Sequence, residues 1–242
     1  MPRLDPDENG WVQSASAWID ALGDAGDFSR QWVLDRPMLA QVSAAKPETA
    51  LDVGCGEGRF CRLMQDLGVK TTGLDPVPAL IAKAKARDPL GTYVTGFAEQ
   101  LPFSDNSFDA VVSYLSLIDI DNAETAILEM ARVLKPGGHI VVGTLTSFTT
   151  SGSIDGERFC RDTGERLRPL GDYLTPRKNW VAWDDIKVQN WHRPLAHYMG
   201  WFLAAGLDLR VFEEPHPYGG PPDRVASYHA YPYLMMMVWQ KP

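Results

Sequence analysis

Apolar residues recur along this chain in two rhythms, one that marks helices and one that marks buried strands. Trp11, Ala15, Trp18, Ile19 and Leu22 are spaced by 4, 3, 1 and 3 positions, which places them on one helical face. Gly23 and Gly26 end that face. A second helical stretch is expected over residues 28–45, with Pro37 placed to disturb or divide it. From Glu48 onward, short apolar runs alternate with helical faces. The runs at 49–53, 70–74, 92–95, 108–115 and 139–145 read as strands, and those at 58–67 and 78–86 as helices. Ala123, Ile127, Met130 and Leu134 mark another helix, ended by Lys135-Pro136-Gly137-Gly138. The run 108–115 is almost wholly apolar, as expected of a strand covered on both faces.

The alternation breaks between Thr146 and about Gln189. There, Phe148, Phe159, Tyr173, Trp180 and Trp183 are scattered among polar residues, which reads as an insertion of loops and short strands. A helix at 193–205 and strands at 207–213 and 231–240 complete the pattern, with a Pro/Gly-rich loop over 215–223. The expected fold is α/β, a doubly wound, seven-stranded and mostly parallel sheet, preceded by two helices and interrupted after strand five.

Composition narrows this picture. The 242 residues are 45% hydrophobic and 22% charged, which suits one domain with a substantial core. The net charge of −8 argues against a nucleic-acid partner, which needs a cationic surface. Cys55, Cys61 and Cys160 form no CxxC pair and no disulfide framework. The histidines show no metal-ligand spacing, so no metal is expected. No apolar run approaches the ~18 residues of a membrane-spanning helix, and the polar start Met1–Glu8 lacks the apolar core of a signal peptide. The reading is a cytoplasmic protein without membrane insertion.

The chemistry concentrates in Leu51-Asp52-Val53-Gly54-Cys55-Gly56-Glu57-Gly58-Arg59-Phe60, a strand that turns at three alternate glycines and opens into a helix. Such a turn lets a ligand approach the backbone closely. A dinucleotide fingerprint wants its third glycine where this chain has Arg59, and a phosphate loop wants a Gly-Lys-Ser/Thr that is absent. Asp52 and Glu57 make the turn acidic, which suits an ammonium or sulfonium ligand better than a pyrophosphate. Asp75, at the end of the second strand, can accept the two hydroxyls of a ribose.

Taken with Gly73-Leu74-Asp75-Pro76, the run from Gly96-Phe97-Ala98-Glu99-Gln100-Leu101-Pro102-Phe103 to Ser107-Phe108-Asp109-Ala110-Val111, and Val133-Leu134-Lys135-Pro136-Gly137-Gly138, this stretch resembles the successive motifs of class I S-adenosylmethionine-dependent methyltransferases. The resemblance spans about residues 48–146 and is nearest the small-molecule enzymes, quinone-biosynthesis enzymes among them. It implies S-adenosyl-L-methionine as cofactor and S-adenosyl-L-homocysteine as product. It implies that Asp52, Gly54, Cys55, Gly56 and Gly58 line the methionine part, Asp75 the ribose, and Pro76, Ala98 and Glu99 the adenine. The Leu115 carbonyl would meet the methionine amino group and Arg30 its carboxylate. The chain then divides into a helical cap (1–47), a cofactor-binding core (48–146), an insertion or lid (147–190) and the rest of the sheet (191–242).

The acceptor is a separate question. Where many relatives carry a histidine or an aromatic after strand four, this chain has Ser116-Leu117-Ile118-Asp119-Ile120-Asp121. His192, Tyr173 and Asp119 are the candidate catalytic residues. No tryptophan falls between residues 48 and 146, so the cap and the insertion are candidates for an aromatic lid over a small, partly apolar or aromatic acceptor. The alternatives are a non-catalytic S-adenosylmethionine-binding regulatory protein and an NAD(P)-dependent oxidoreductase, against which Arg59 counts. The sequence leaves open which atom is methylated and the oligomeric state.

Overall fold

The computed structural model describes residues 8–152, 158–159, 166–167 and 170–242; Cys160 and the Phe159 side chain, both named above, lie outside the described residues. In chain order the helices are α1 (Trp11–Leu22), α2 (Asp35–Ala45), α3 (Arg59–Gln65), α4 (Pro78–Arg87), α5 (Ala123–Val133), α6 (Ser147–Ser151), α7 (Leu195–Ala204) and α8 (Pro222–Ala230). The strands are β1 (Thr49–Val53), β2 (Lys70–Asp75), β3 (Thr92–Thr95), β4 (Phe108–Tyr114), β5 (Leu134–Leu145), β6 (Arg158–Phe159), β7 (Arg166–Leu167), β8 (Arg177–Trp183), β9 (Ile186–His192), β10 (Asp208–Glu213) and β11 (Leu234–Gln240).

Seven strands form one sheet in the order β10-β11-β5-β4-β1-β2-β3. The pairs from β3 through β5 are parallel, whereas β11 runs antiparallel to both β5 and β10. The strand order reverses between β1 and β4. In open parallel sheets, ligands bind beyond the carboxyl ends of the strands at such a reversal. The alternating pleat of β11 shows why the sheet is covered on both sides. Met235, Met237 and Trp239 face Ile127, Met130 and Phe202 of α5 and α7, with Trp239 and Phe202 stacked at 4.9 Å. Met236 and Val238 face Met38, Val42 and Met64 of α2 and α3.

Two local outcomes differ from the sequence reading and a third gives it detail. The disturbance expected of Pro37 is one wide π turn, Arg30–Leu34, ahead of α2, in which the Asp35 N–H bonds the Arg30 carbonyl five residues back. The wider turn absorbs the bond that proline cannot donate. The helix α8 takes in the last two residues of the expected loop and the stretch before the expected strand, which itself begins later, at Leu234. It buries none of its residues; Pro222 at its start and Asp223 in its first turn mark it. The strand β5 begins at Leu134, ahead of the expected His139, and its pairing with β4 slips between Phe108 and Ala110.

The cap and the insertion are tied to one another and to the core. The Ser14 hydroxyl donates to the Lys187 carbonyl (3.1 Å) and accepts the Lys187 N–H (3.0 Å), while the Gln189 N–H donates to the Asn9 carbonyl (2.9 Å). These bonds zip α1 to the β8–β9 hairpin. Arg59 then ties the cap to the glycine turn: Nη1 and Nη2 donate to Asp35 Oδ1 and Oδ2 at 3.0 and 2.5 Å, and Tyr114 donates to the same carboxylate at 2.8 Å. Removing one partner of a buried pair strands the other charge. Arg59→Met is therefore expected to cost about 3 kcal/mol in urea unfolding, and pairing it with Asp35→Leu to recover much of that loss.

Candidate functional site

The glycine turn owes its shape to backbone conformations that side chains rarely adopt. Gly54 and Gly56 have φ of 78° and 55°. A Cβ at Gly54 would stand 2.4 Å from the Ser116 Cβ, and one at Gly56 would stand 2.8 Å from the Trp18 ring. Any larger residue would fill the cradle. Asp75 fixes the turn from the next strand: one carboxylate oxygen accepts the Gly56 N–H and the other the Val77 N–H, both at 2.9 Å. Ser116 closes it from the other side of the strand reversal, donating to the Val53 carbonyl at 2.6 Å and pairing with the Ser113 hydroxyl at 2.7 Å.

These groups line a cavity of about 440 Å³ at the carboxyl ends of β1, β2 and β4. Asp52 is 1% exposed at its floor; Oδ2 accepts the Cys61 thiol at 3.6 Å, and Oδ1 has no donor among the described residues. Burial, with lesser contributions from Asp75 and Glu57, pushes its carboxyl up to about 7. Burial pushes Asp75 up to about 6, against the opposing effect of its two backbone donors. An orphaned buried carboxylate oxygen beside a glycine cradle fits a cationic ligand group, whose charge would stabilise the ionised form. Leu115 also lines the cavity and holds a φ of 56°, a conformation rare for leucine that is locked by its N–H bond to the Gly143 carbonyl at 2.7 Å.

A second cavity of about 910 Å³ lies under the cap and the β8–β9 hairpin. The two share a wall made by Trp11, Trp18, Leu22, Arg30, Leu115 and Asp119. Asp119 is half-buried at this joint. Its Oδ1 accepts the Asn190 side-chain N–H at 2.6 Å, and the Trp11 indole N–H stands beside it outside hydrogen-bond geometry. Its carboxyl is raised to about 7 by removal from water, with Trp11 and Asn190 opposing the rise.

Of the residues expected to touch a cofactor, Asp52, Gly54, Cys55, Gly56, Asp75, Pro76, Ala98, Glu99, Leu115 and Arg30 line the smaller cavity. Gly58 does not. It sits left-handed at the start of α3, where a Cβ would strike the Tyr93 ring at 2.7 Å. Glu57 does not supply the acidic character expected of the turn either. It is fully buried away from the cavity and neutralised by Arg62 at 2.9 Å and Arg87 at 2.6 Å. Arg30 reaches the joint while paired to Asp27 at 2.7 Å.

His192 and Tyr173 line neither cavity. The His192 ring is buried with both nitrogens engaged, Nδ1 with the Thr150 hydroxyl (2.9 Å) and Nε2 with the Tyr173 carbonyl (2.8 Å); burial lowers its pKa. Tyr173 packs on Phe148 and His192. Both hold the insertion onto the core, which removes them as candidates for the base. Trp11, Trp18, Trp180 and Trp183 wall the larger cavity, whereas Trp32 packs on Tyr218 and Trp239 fills the core. Sequence reading missed Ser116, Asn190 and Arg193. The position of Ser116, just past β4 beside the strand reversal, was a usable signal. Asn190 and Arg193 gave none, because they reach the joint only through the fold-back of the insertion. Among the described residues no cluster of histidine, cysteine and carboxylates has the geometry of a metal site.

A glycine turn, a strand-end carboxylate and a cavity at the strand reversal define an α/β protein that binds a nucleoside-containing cofactor. Residues 51–142 match the family model described as a methyltransferase domain. The chain is 32% identical over 152 residues to a demethylmenaquinone methyltransferase of Beutenbergia cavernae, covering 61% of this chain and 63% of that one. It is 33% identical over 152 residues to a malonyl-[acyl-carrier protein] O-methyltransferase of Serratia marcescens, covering 60% and 59%. The chain thus spans about three-fifths of these relatives. The crystal structure of an S-adenosylmethionine-dependent methyltransferase from Mesorhizobium loti superposes with a TM-score of 0.77 at 23% identity, over 90% of this chain and 100% of that one. Residues 51–142 are thus similar to a methyltransferase domain, and the fold is that of S-adenosylmethionine-dependent methyltransferases.

Asp52→Asn separates stability from binding. A carboxyl whose folded pKa lies above its unfolded value stabilises the fold while protonated, and that contribution is lost as pH rises through the folded value. The substitution is expected to raise the thermal midpoint of the free protein at pH 8, with the gain vanishing below about pH 4. Calorimetry should show it to weaken S-adenosylhomocysteine binding by about 10-fold.

Proposed function

We propose that this protein is an S-adenosylmethionine-dependent methyltransferase that transfers a methyl group to a small organic acceptor by in-line displacement. The observation that carries this reading is the joint between the two cavities: a cradle suited to the donor opens, past Leu115 and Asp119, onto a separate space walled by tryptophans. Asp75 would hold the ribose, with Pro76, Ala98 and Glu99 around the adenine. Asp52, Gly54, Gly56 and the Leu115 carbonyl would surround the methionine amino group, and Arg30 would face its carboxylate. The protein's contribution is alignment and exclusion of water.

The second cavity favours an enzyme over a cofactor sensor, since a sensor needs no space for an acceptor. Arg59, buried and bound to Asp35 where a dinucleotide fold has its third glycine, weighs against a nicotinamide cofactor. The relatives' names carry different acceptors, a demethylmenaquinone and a malonyl-[acyl-carrier protein], so similarity over 152 residues selects neither. No helix among the described residues is long and apolar enough to cross a membrane.

Calorimetric titration with S-adenosylmethionine and S-adenosylhomocysteine tests the reading. The wild-type protein should bind both, and Asp75→Ala should weaken each by at least ~10-fold through loss of charge-assisted hydrogen bonds. Absence of binding to either ligand in the wild-type protein would sink the assignment.

A further inference from the structure

The joint between the cavities carries one base. Its other walls are Trp11, Trp18, Leu22 and Leu115, which offer no side-chain base, and Arg30, a cation already paired with Asp27. The loop that presents Asp119 is built rather than loose. Buried Arg193 donates from Nη1 to the Leu117 carbonyl (3.0 Å) and from Nη2 to the carbonyls of Ile120 (2.6 Å) and Asp121 (3.0 Å). The Trp191 N–H donates to the Ile118 carbonyl at 2.7 Å. The carbonyls on both sides of Asp119 are therefore fixed from β9, which also supplies Asn190, and from Arg193 just past its end. Asn190 holds Oδ1 of Asp119, and Oδ2 accepts no hydrogen bond of good geometry from the described residues.

Resting on the methyltransferase reading, we propose that Asp119 is the general base, positioned by Asn190, and that the acceptor is an uncharged molecule with a planar apolar body and a hydroxyl on an sp² carbon, a phenol or enol. A carboxylate acceptor would set its negative nucleophile against Asp119, and it has no proton to give up. An amine or thiolate needs no base at the moment of transfer. A phenol or enol needs one, because its oxygen becomes strongly nucleophilic only as its proton leaves. The tryptophans of the larger cavity supply flat apolar walls for the body. In the transfer, the acceptor oxygen–carbon bond forms as the methyl carbon–sulfur bond of the sulfonium breaks, the electron pair goes to sulfur to leave a thioether, and the hydroxyl proton goes to Asp119. An enol acceptor has the same proton transfer with methylation at oxygen or carbon, which mass spectrometry of the product distinguishes.

The groups that set the ionisation of Asp119 come from four elements: Asn190 on β9, Trp11 on α1, Arg30 on the π turn, and Asp75 at the end of β2. Of these only Asp75 favours the protonated form. Ionisation near pH 7 would therefore appear as the rising limb of the rate against pH.

The test uses the full-length protein loaded with S-adenosylhomocysteine and two matched probes, 2-naphthol and 2-naphthoate, followed by tryptophan quenching. Wild type should bind naphthol at least ~10-fold tighter than naphthoate, and Asp119→Asn should bring the two within about 2-fold by removing a charged acceptor and its repulsion. At saturating S-adenosylmethionine, methyl transfer to naphthol should fall ~100-fold or more in Asp119→Asn. Asn190→Leu should move the rising limb to higher pH, a shift that a purely structural role would not produce. Equal or tighter naphthoate binding, no naphthol binding, or an unchanged preference in Asp119→Asn overturns the proposal. If S-adenosylhomocysteine binds while the naphthol preference is missing, the acceptor assignment alone fails; if the cofactor does not bind, the methyltransferase reading fails.

Discussion

The bridge made by the Asp75 carboxylate is the interaction on which the rest of the site depends. Its two oxygens hold the N–H groups of Gly56 and Val77, one on the turn after β1 and one at the start of α4. The turn is thereby clamped to the neighbouring strand in a left-handed conformation that it would otherwise have little reason to keep. Each oxygen still has a free lone pair direction, so the group that shapes the cradle also faces the cavity it creates. Two buried carboxylates, Asp75 and Asp52, stand together there with raised pKa values, and the folded protein bears that cost in the absence of a counter-charge. A cation in the cavity would favour the ionised form of both.

Charge in this region is sorted by partner rather than by sequence neighbourhood. Asp52 and Glu57 are five residues apart and both buried, yet only Asp52 faces the cavity. Glu57 is held between two arginines from α3 and α4, and it stabilises the packing of those helices against the turn. Arg59 behaves in the same way. Its side chain occupies the position where close packing would demand a glycine, but it leaves the helix–strand contact and reaches Asp35 in the cap. The cap is thus fastened to the same turn that lines the smaller cavity, and α1 is fastened in turn to the hairpin over the second cavity.

The residues that line the smaller cavity were legible in the sequence because their determinants are local. A glycine needed for positive φ, an acid at a strand end and a strand–turn–helix period all lie within short windows, and the alternation of the core predicted the parallel sheet around them. Gly58 was misassigned because its constraint comes from Tyr93 on β3, a neighbour that only the folded sheet supplies. His192 was misassigned for a related reason. Its place at the edge of the insertion suggested a base, but the α6 turn and the Tyr173 carbonyl satisfy both nitrogens.

The larger cavity follows a different logic, and this bears on why relatives similar to this chain carry different acceptors in their names. Nothing in the donor cradle specifies what lies beyond Leu115. That space is bounded by the cap and the hairpin, which are zipped to each other through Ser14 and Lys187 and locked to the core by Arg193. Neither supplies a partner of the Asp75 clamp, which is closed by Gly56 and Val77, so their sequences can vary without removing either of its bonds. Of the six residues of the joint, five offer apolar walls or a paired cation, and the sixth is a carboxylate with one oxygen fixed and one free. Under the proposal above, a substitution at that single position would change which nucleophile the joint can accept while leaving the Asp75 clamp in place. The identity of the acceptor would then be written where the two cavities meet, at Asp119.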